Sequence, residues 1–203
     1  MTGTPLLTAS GWLPAEPVPL RDIALELDAT ERPVPERLLD SASRVLPIRA
    51  DGTRYPDYSG AMRDLAAPKV FSNRRTYRLT SADLAQQTLS FALGRYFDGI
   101  DTGEAAAHEY AAHEYAAATA GVAAGTAQSV TGVRAAIGDP CDPSRRPMNL
   151  AISTLTIQTG RGRRASFWMH WRDPASVGHA GGLYQVVPVG IFQPSSDADA
   201  SLR

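Results

Sequence analysis

Eight of the chain's 15 prolines fall within the first 60 residues, at positions 5, 14, 17, 19, 33, 35, 47 and 56. Each ring fixes φ and removes a backbone donor, so no long helix fits before about residue 60. Residues 1–60 therefore read as a proline-rich, extended N-terminal segment. Within it "RDIALEL" alternates Ile23, Leu25 and Leu27 with Asp22, Ala24 and Glu26, the period of a strand. "SGAMRDLAAP" predicts a short helix capped by Ser59 and ended by Pro68. "KVFSNRRTYRL" and "TLSFALG" carry the β-branched and aromatic residues of strands, with "TSADLAQQ" between them as a helical turn or loop.

The long helix is placed at Asp101 to Ala120. Asp101 or Thr102 can accept from the free amides of a first turn, Glu104 stands three residues after Asp101 as in a capping box, and alanine fills the body. Gly121 and Gly125 supply the stop. This helix contains "AAHEYAAHEY", one pentapeptide written twice. A zinc-protease helix uses HExxH, whose histidines stand four apart on one face. His108 and His113 are five apart, about 140° of rotation, and cannot grip one ion from a regular helix. Glu104 with His108, and Glu109 with His113, are four apart instead, so the repeat reads as surface pairs on a duplicated helix.

From residue 150 the pattern is β. "LAISTLTIQ" and "ASFWMHW" are expected to form a hairpin across the "TGRGRR" turn. "LYQVVPVGIFQP" is a third extended run in which Pro188 and Gly190 argue for a bulge or an edge, and residues 195–203 read as a disordered tail. Candidate ligand-binding residues gather where this sheet meets its loops: Trp168 and His170 on one strand face, Arg172 and Asp173 at the strand mouth, and His179, Gly181 and Gly182 in the loop beyond. The plainer reading of Arg172 and Asp173 is an ion pair opening a loop at Pro174. "RRP" at 145–147 and "RGRR" at 161–164 read most simply as solvated turns. The sequence contains no phosphate-binding P-loop, no nucleophile elbow and no dinucleotide fingerprint.

A formal net charge of −1 gives no whole-molecule attraction to nucleic acid, and nothing before residue 60 reads as a helix-turn-helix, so direct nucleic-acid binding is not expected. One cysteine, Cys141, excludes an internal disulfide and a Cys-rich zinc site. No apolar run reaches the roughly 18 residues of a membrane span, so a cytoplasmic location without membrane contact is expected.

Over "YFDGIDTGEAAAHEYAA", "GDPCDPSRRPMNLAISTLTI" and "FWMHWRDPASVGHAGGLYQVVPVGIFQPS" the chain resembles a group of actinobacterial proteins, some labelled transcriptional regulators, whose C-terminal part is Nudix-like. The resemblance implies an α+β fold: a single domain over 61–194 with the mixed sheet of a Nudix-like α/β/α sandwich, plus the long Ala-rich helix. In such relatives a glutamate-rich helix follows. Here the nine residues after Pro194 include no glutamate, so the chain reads as truncated before that helix and the sandwich as incomplete at its C-terminus. A Nudix hydrolase needs several carboxylates to hold magnesium against a diphosphate. The expectation is therefore a non-catalytic ligand-binding or regulatory domain for a small anionic or nucleotide-like molecule, with no catalytic residues, no metal and no cofactor. The alternative is a Nudix-type nucleoside diphosphate hydrolase completed by a partner chain or by acids such as Glu104, Glu109 and Glu114. Sheet edges left bare by the missing helix predict poor solubility or formation of a homodimer.

Overall fold

The computed structural model describes residues 17–43, 46–121, 132–139, 142–143, 146–162, 164–177 and 181–196. Its centre is an antiparallel hairpin of β2 (Arg75–Asp83) and β3 (Thr88–Arg95), paired from Arg75 opposite Arg95 to Asp83 opposite Thr88. The first half of "TSADLAQQ" is strand, since β2 runs through Asp83, and the second half, residues 84–87, is the expected turn, with Gln87 at a φ of 54°. β1 (Ala24–Glu31) adds to β3 in parallel and β4 (Met148–Asn149) adds to β2 antiparallel, giving a mixed sheet in the order β1-β3-β2-β4. The period-2 pattern places Tyr77, Phe91 and Leu93 on one buried face with Leu27, Leu79 and Leu89 around them. Each such side chain, fully buried, contributes roughly 1.5–3 kcal/mol.

Part of the proline-rich segment is built into the fold. It supplies β1 and a helix, α1 (Glu36–Ser43), whose Leu38 joins a second core with Val34, Ala105, Val133 and Ile137. Pro35 precedes α1, and its carbonyl accepts from the Leu38 amide at 2.8 Å, so the prolines set where the helix begins. In α2 (Tyr58–Leu65) the cap is Asp57 rather than Ser59, its carboxylate accepting from the Gly60 amide at 2.6 Å. Ser59 sits inside the helix, where its amide donates to Asp101 Oδ1 at 2.6 Å and its hydroxyl to Oδ2 at 3.2 Å.

The long helix begins five residues earlier than its sequence signals imply. α3 (Tyr96–Gly99) passes through a π-helical turn (Ile100–Glu104) into α4 (Ala105–Thr119). The start is set by Asp98, which takes the Arg95 amide at 2.7 Å in a capping box, and by Asn73, which takes the Phe97 amide at 2.8 Å. Asp101 is therefore interior and only 7% exposed. At the other end Gly121, at a φ of 73°, follows the last turn as expected. Gly125 lies outside the described residues.

The repeat's two glutamates have different fates because a five-residue step turns them to different faces. Glu109 is 1% exposed and is not the surface partner of His113. Its carboxylate accepts from the Val133 amide at 3.2 Å, the Arg134 amide at 2.9 Å and Arg134 Nε at 3.3 Å, capping α5 (Val133–Ile137). Gly132 lets it approach: a Cβ there would lie 2.1 Å from Glu109 Oε1, and the residue has a φ of 75°. Glu114, in the second copy, is only half-buried, while His108 meets the Tyr58 ring edge-on.

From residue 150 the three extended runs each break in two and change partners. The first is β5 (Ala151–Ser153) and β6 (Ile157–Gln158), the second β7 (Ser166–Phe167) and β8 (Met169–Trp171), the third β9 (Tyr184–Val186) and β10 (Val189–Ile191). β6 pairs with β7, as the predicted hairpin requires, while β8 pairs with β9 and β10 returns to β5. The breaks meet: Thr154 donates to the Pro188 carbonyl, Thr156 Oγ1 to the Val187 carbonyl, and the Trp168 amide to the Thr156 carbonyl. Pro188, in a cis peptide bond with Val187, thus stands at a partner exchange. Ser195 and Ser196 are described; 197–203, most of the expected tail, lies outside. Among the described residues no helix is long and apolar enough to cross a membrane.

Truncating Glu109 to alanine strands two buried amides and one guanidinium, so Glu109→Ala is expected to cost about 3–5 kcal/mol in urea unfolding, and Glu114→Ala under about 1 kcal/mol. A second prediction concerns pH. Burial pushes the Asp101 carboxyl up to about 6 from 3.8, opposed by the Ser59 amide and reinforced by Asp57. The native state then holds the proton to higher pH than the unfolded chain, so this group's contribution is most favourable below pH 4 and falls as pH rises to about 6. Asp101→Asn removes a cost of roughly 2–3 kcal/mol at pH 7 and none at pH 4, which unfolding of both proteins at the two pH values would check.

Candidate functional site

The C-terminal β unit is joined to the central sheet along two lines. At the first, Tyr77 of β2 accepts from the Leu150 amide and donates to the Phe192 carbonyl, while Phe192 donates to the Leu150 carbonyl. At the second, Val70 bridges Val177 in parallel, its amide donating to the Ser176 carbonyl at 3.2 Å. Between them lies a cleft of about 240 Å³ bordered by Val70, Ser72, Tyr96, Arg172, Val177 and Gln193. Gln193 also borders a neighbouring cleft of about 250 Å³, with Arg74, Arg75, Ser195 and Ser196.

Each polar group is set by its element. Arg172 leaves the end of β8, its backbone closed on Leu183 and Gly182 by a reciprocal pair of hydrogen bonds, and its Nη1 donates to Gln185 Oε1. That contact holds the guanidinium plane. Tyr96 opens α3, its amide donating to the Arg74 carbonyl at 2.9 Å. Burial pushes its phenol up; the Arg172 charge draws it down and the Glu104 charge adds to the rise. Its hydroxyl thus stays protonated as a donor at neutral pH. Arg75 differs from Arg74 in being shared with Glu31, whose carboxylate accepts from Arg75 Nε at 3.3 Å and Arg95 Nε at 2.5 Å. The Arg95 hydrogen bond foremost holds Glu31 below the usual carboxylate range.

The residues singled out by sequence are not all brought together. Arg172 reaches the cleft. Trp168, 59% exposed, and the exposed His170 stand on β7–β8 away from its border, and the opposite face with Phe167, Met169 and Trp171 is exposed as well. Asp173 serves its own turn: Oδ1 accepts from the Ala175 amide at 3.0 Å and Oδ2 from the Ser176 hydroxyl at 2.7 Å, contacts that hold its carboxyl below the usual range. Gly181 and Gly182 shape the loop: a Cβ on Gly181 would lie 2.7 Å from Pro174 Cα, and Gly182 has a φ of 81°. His179 lies outside the described residues, as does Cys141.

Ser72, Arg74, Tyr96 and Gln193 were not singled out as functional in the sequence. Arg74 and Arg75 as an adjacent pair ahead of a strand were the one available signal. Together the cleft offers a guanidinium fork, a phenol, an amide and a hydroxyl, the donor set that receives an oxyanion. None of its bordering residues is His, Cys, Asp or Glu. Among the described residues no three such side chains are grouped to hold a metal ion, and Glu109, one of the acids considered for that task, is committed to α5. Comparison with family models, curated proteins and solved structures returns no match to this chain.

The loop that aims Arg172 depends on glycine. Gly181→Ala drives a Cβ against the Pro174 backbone and is expected to cost about 1–3 kcal/mol, read as faster amide hydrogen exchange at Gly182 and Arg172 than in the parent chain.

Proposed function

We propose that the chain is a non-catalytic, Nudix-like binding domain of regulatory type whose cleft takes a small anion, nucleotide-like diphosphates among its candidates. The observation that carries this reading is the meeting of Arg172, Tyr96, Ser72 and Gln193 in one cleft, with Arg74 beside it in the next. These groups come from four separate stretches of chain and border one space. A planar guanidinium receives two oxygens of a carboxylate or phosphate at once, and a partly desolvated site strengthens that contact relative to water. Gln185 acts here as a positioning residue, since it holds Arg172. The cleft has room for roughly eight water volumes, the size of a phosphate with part of its substituent.

Inorganic phosphate, pyrophosphate and a nucleoside diphosphate, each titrated into the full chain at constant ionic strength, test the proposal. At about 100 times its dissociation constant a bound anion stabilises by about 2.7 kcal/mol, which raises the melting temperature of a chain this size by roughly 5–10 °C. Arg172→Ala is expected to abolish the rise, while Arg161→Ala, in the distant "RGRR" turn, leaves it intact. A flat melting temperature with all three probes overturns the reading.

A further inference from the structure

A second cavity, of about 340 Å³, lies between α4 and α5, and its lining is different in character. Ala106, Ala107 and Tyr110 of α4 form one wall, and Ile137 and Gly138 at the end of α5 another. Two arginines enter this apolar lining, Arg134 and Arg146. Arg134 is already balanced: its Nε donates to Glu109 and its guanidinium lies 5.4 Å from the centre of the Tyr110 ring. Arg146 is half-buried, and among the described residues its guanidinium has no hydrogen-bond or ion-pair partner. A half-buried cation beside an apolar wall gains from a counter-charge, and none of the described residues bordering this cavity carries one.

The geometry points to a binding site for a planar aromatic carboxylate, with the carboxylate paired to Arg146 and the ring laid against the alanines of α4 beside Tyr110. One uncompensated cation calls for a monoanion, and the guanidinium fork matches the two oxygens of a carboxylate. A phosphate dianion would leave excess charge next to the buried Glu109 carboxylate and nothing for the apolar walls to cover. A flat ring uses those walls: two alanines leave a shallow, even surface, and the exposed edge of Tyr110 can meet it offset or edge-on. The cavity holds roughly eleven water volumes, enough for one or two fused rings with their acid group. This site shares no bordering residue with the Arg172 cleft and stands whether or not that cleft binds an anion.

Calorimetric titration of the full chain with 1-naphthoate and with its neutral analogue 1-naphthamide tests the assignment. The acid is expected to bind about tenfold or more tightly than the amide, the gain of a charge-assisted hydrogen bond. Arg146→Gln should lose that factor for the acid and leave the amide unchanged; Arg161→Ala, which borders neither cavity, should alter neither. Because Arg146 makes no ion pair with a described residue, its replacement is not expected to unfold the chain, and circular dichroism checks this. Ala107→Trp, on the exposed side of α4, fills the cavity and should abolish binding of both compounds in a folded protein. Equal affinity for acid and amide, retention of the acid by Arg146→Gln or Ala107→Trp, or no heat with either compound overturns the assignment.

Discussion

A single carboxylate, that of Glu109, ties the helical half of the molecule together. Burying it costs several kcal/mol of lost hydration, which only convergent donors can offset. Three are supplied by one short stretch, the amides of Val133 and Arg134 and the Arg134 side chain. A five-residue helix such as α5 has almost no stability of its own, since nucleation costs nearly as much as so few hydrogen bonds return. Its position is dictated from outside, by the carboxylate at its start and by Val133 and Ile137 beneath it in the core with Leu38, Val34 and Ala105. A second carboxylate works in the same manner, for Asp101 reaches across to the Ser59 amide and fixes α2 against the π-helical turn. Acidic side chains inside the helical layer thus serve as ties between short helices that could not persist alone.

The sheet side is organised by a different rule. The strand running from Met148 to Gln158 pairs successively with β2, β10 and β7, so it belongs to the central sheet at one end and to the C-terminal unit at the other. Every backbone group keeps a partner only if each strand releases one neighbour as it takes the next, which happens at Thr154–Thr156, Trp168 and Val187–Pro188. This exchange aims the end of β8 back at the start of α3, and so brings Arg172 to Tyr96. Many large apolar side chains of the unit, among them Ile157, Phe167, Trp168 and Tyr184, nevertheless stay exposed, an extent that exceeds scattered surface residues.

What could be read from the sequence was local. The alternation in "RDIALEL", "TYRL" and "TLSFALG" became β1, β2 and β3, and the mixed α+β character and the Ala-rich helix followed from the same kinds of periodicity. Partner exchange was not legible, because a strand that changes neighbours at mid-length looks like any other alternating run. The start of the long helix was misplaced because Asp101 resembles a cap; only the long-range contact to Ser59 shows it to be interior. Glu109 and Glu114 are indistinguishable in their repeat and separate only when α5 packs against one of them. At the site Arg172 was legible as a cation at a strand end, whereas Tyr96, Ser72 and Gln193 carried no signal, being brought in by three other segments.

The pentapeptide copy also separates anchorage from reach. Since the two units are identical, removing either one leaves a glutamate at the same distance from Ala105, with the same face towards α5, and shortens the helix only beyond it, by about 7.5 Å at 1.5 Å per residue. The length of the helix beyond Glu109 is thereby independent of the joint at α5: a lineage could add or delete units there and change where the helix ends, without altering the contacts that Glu109 makes.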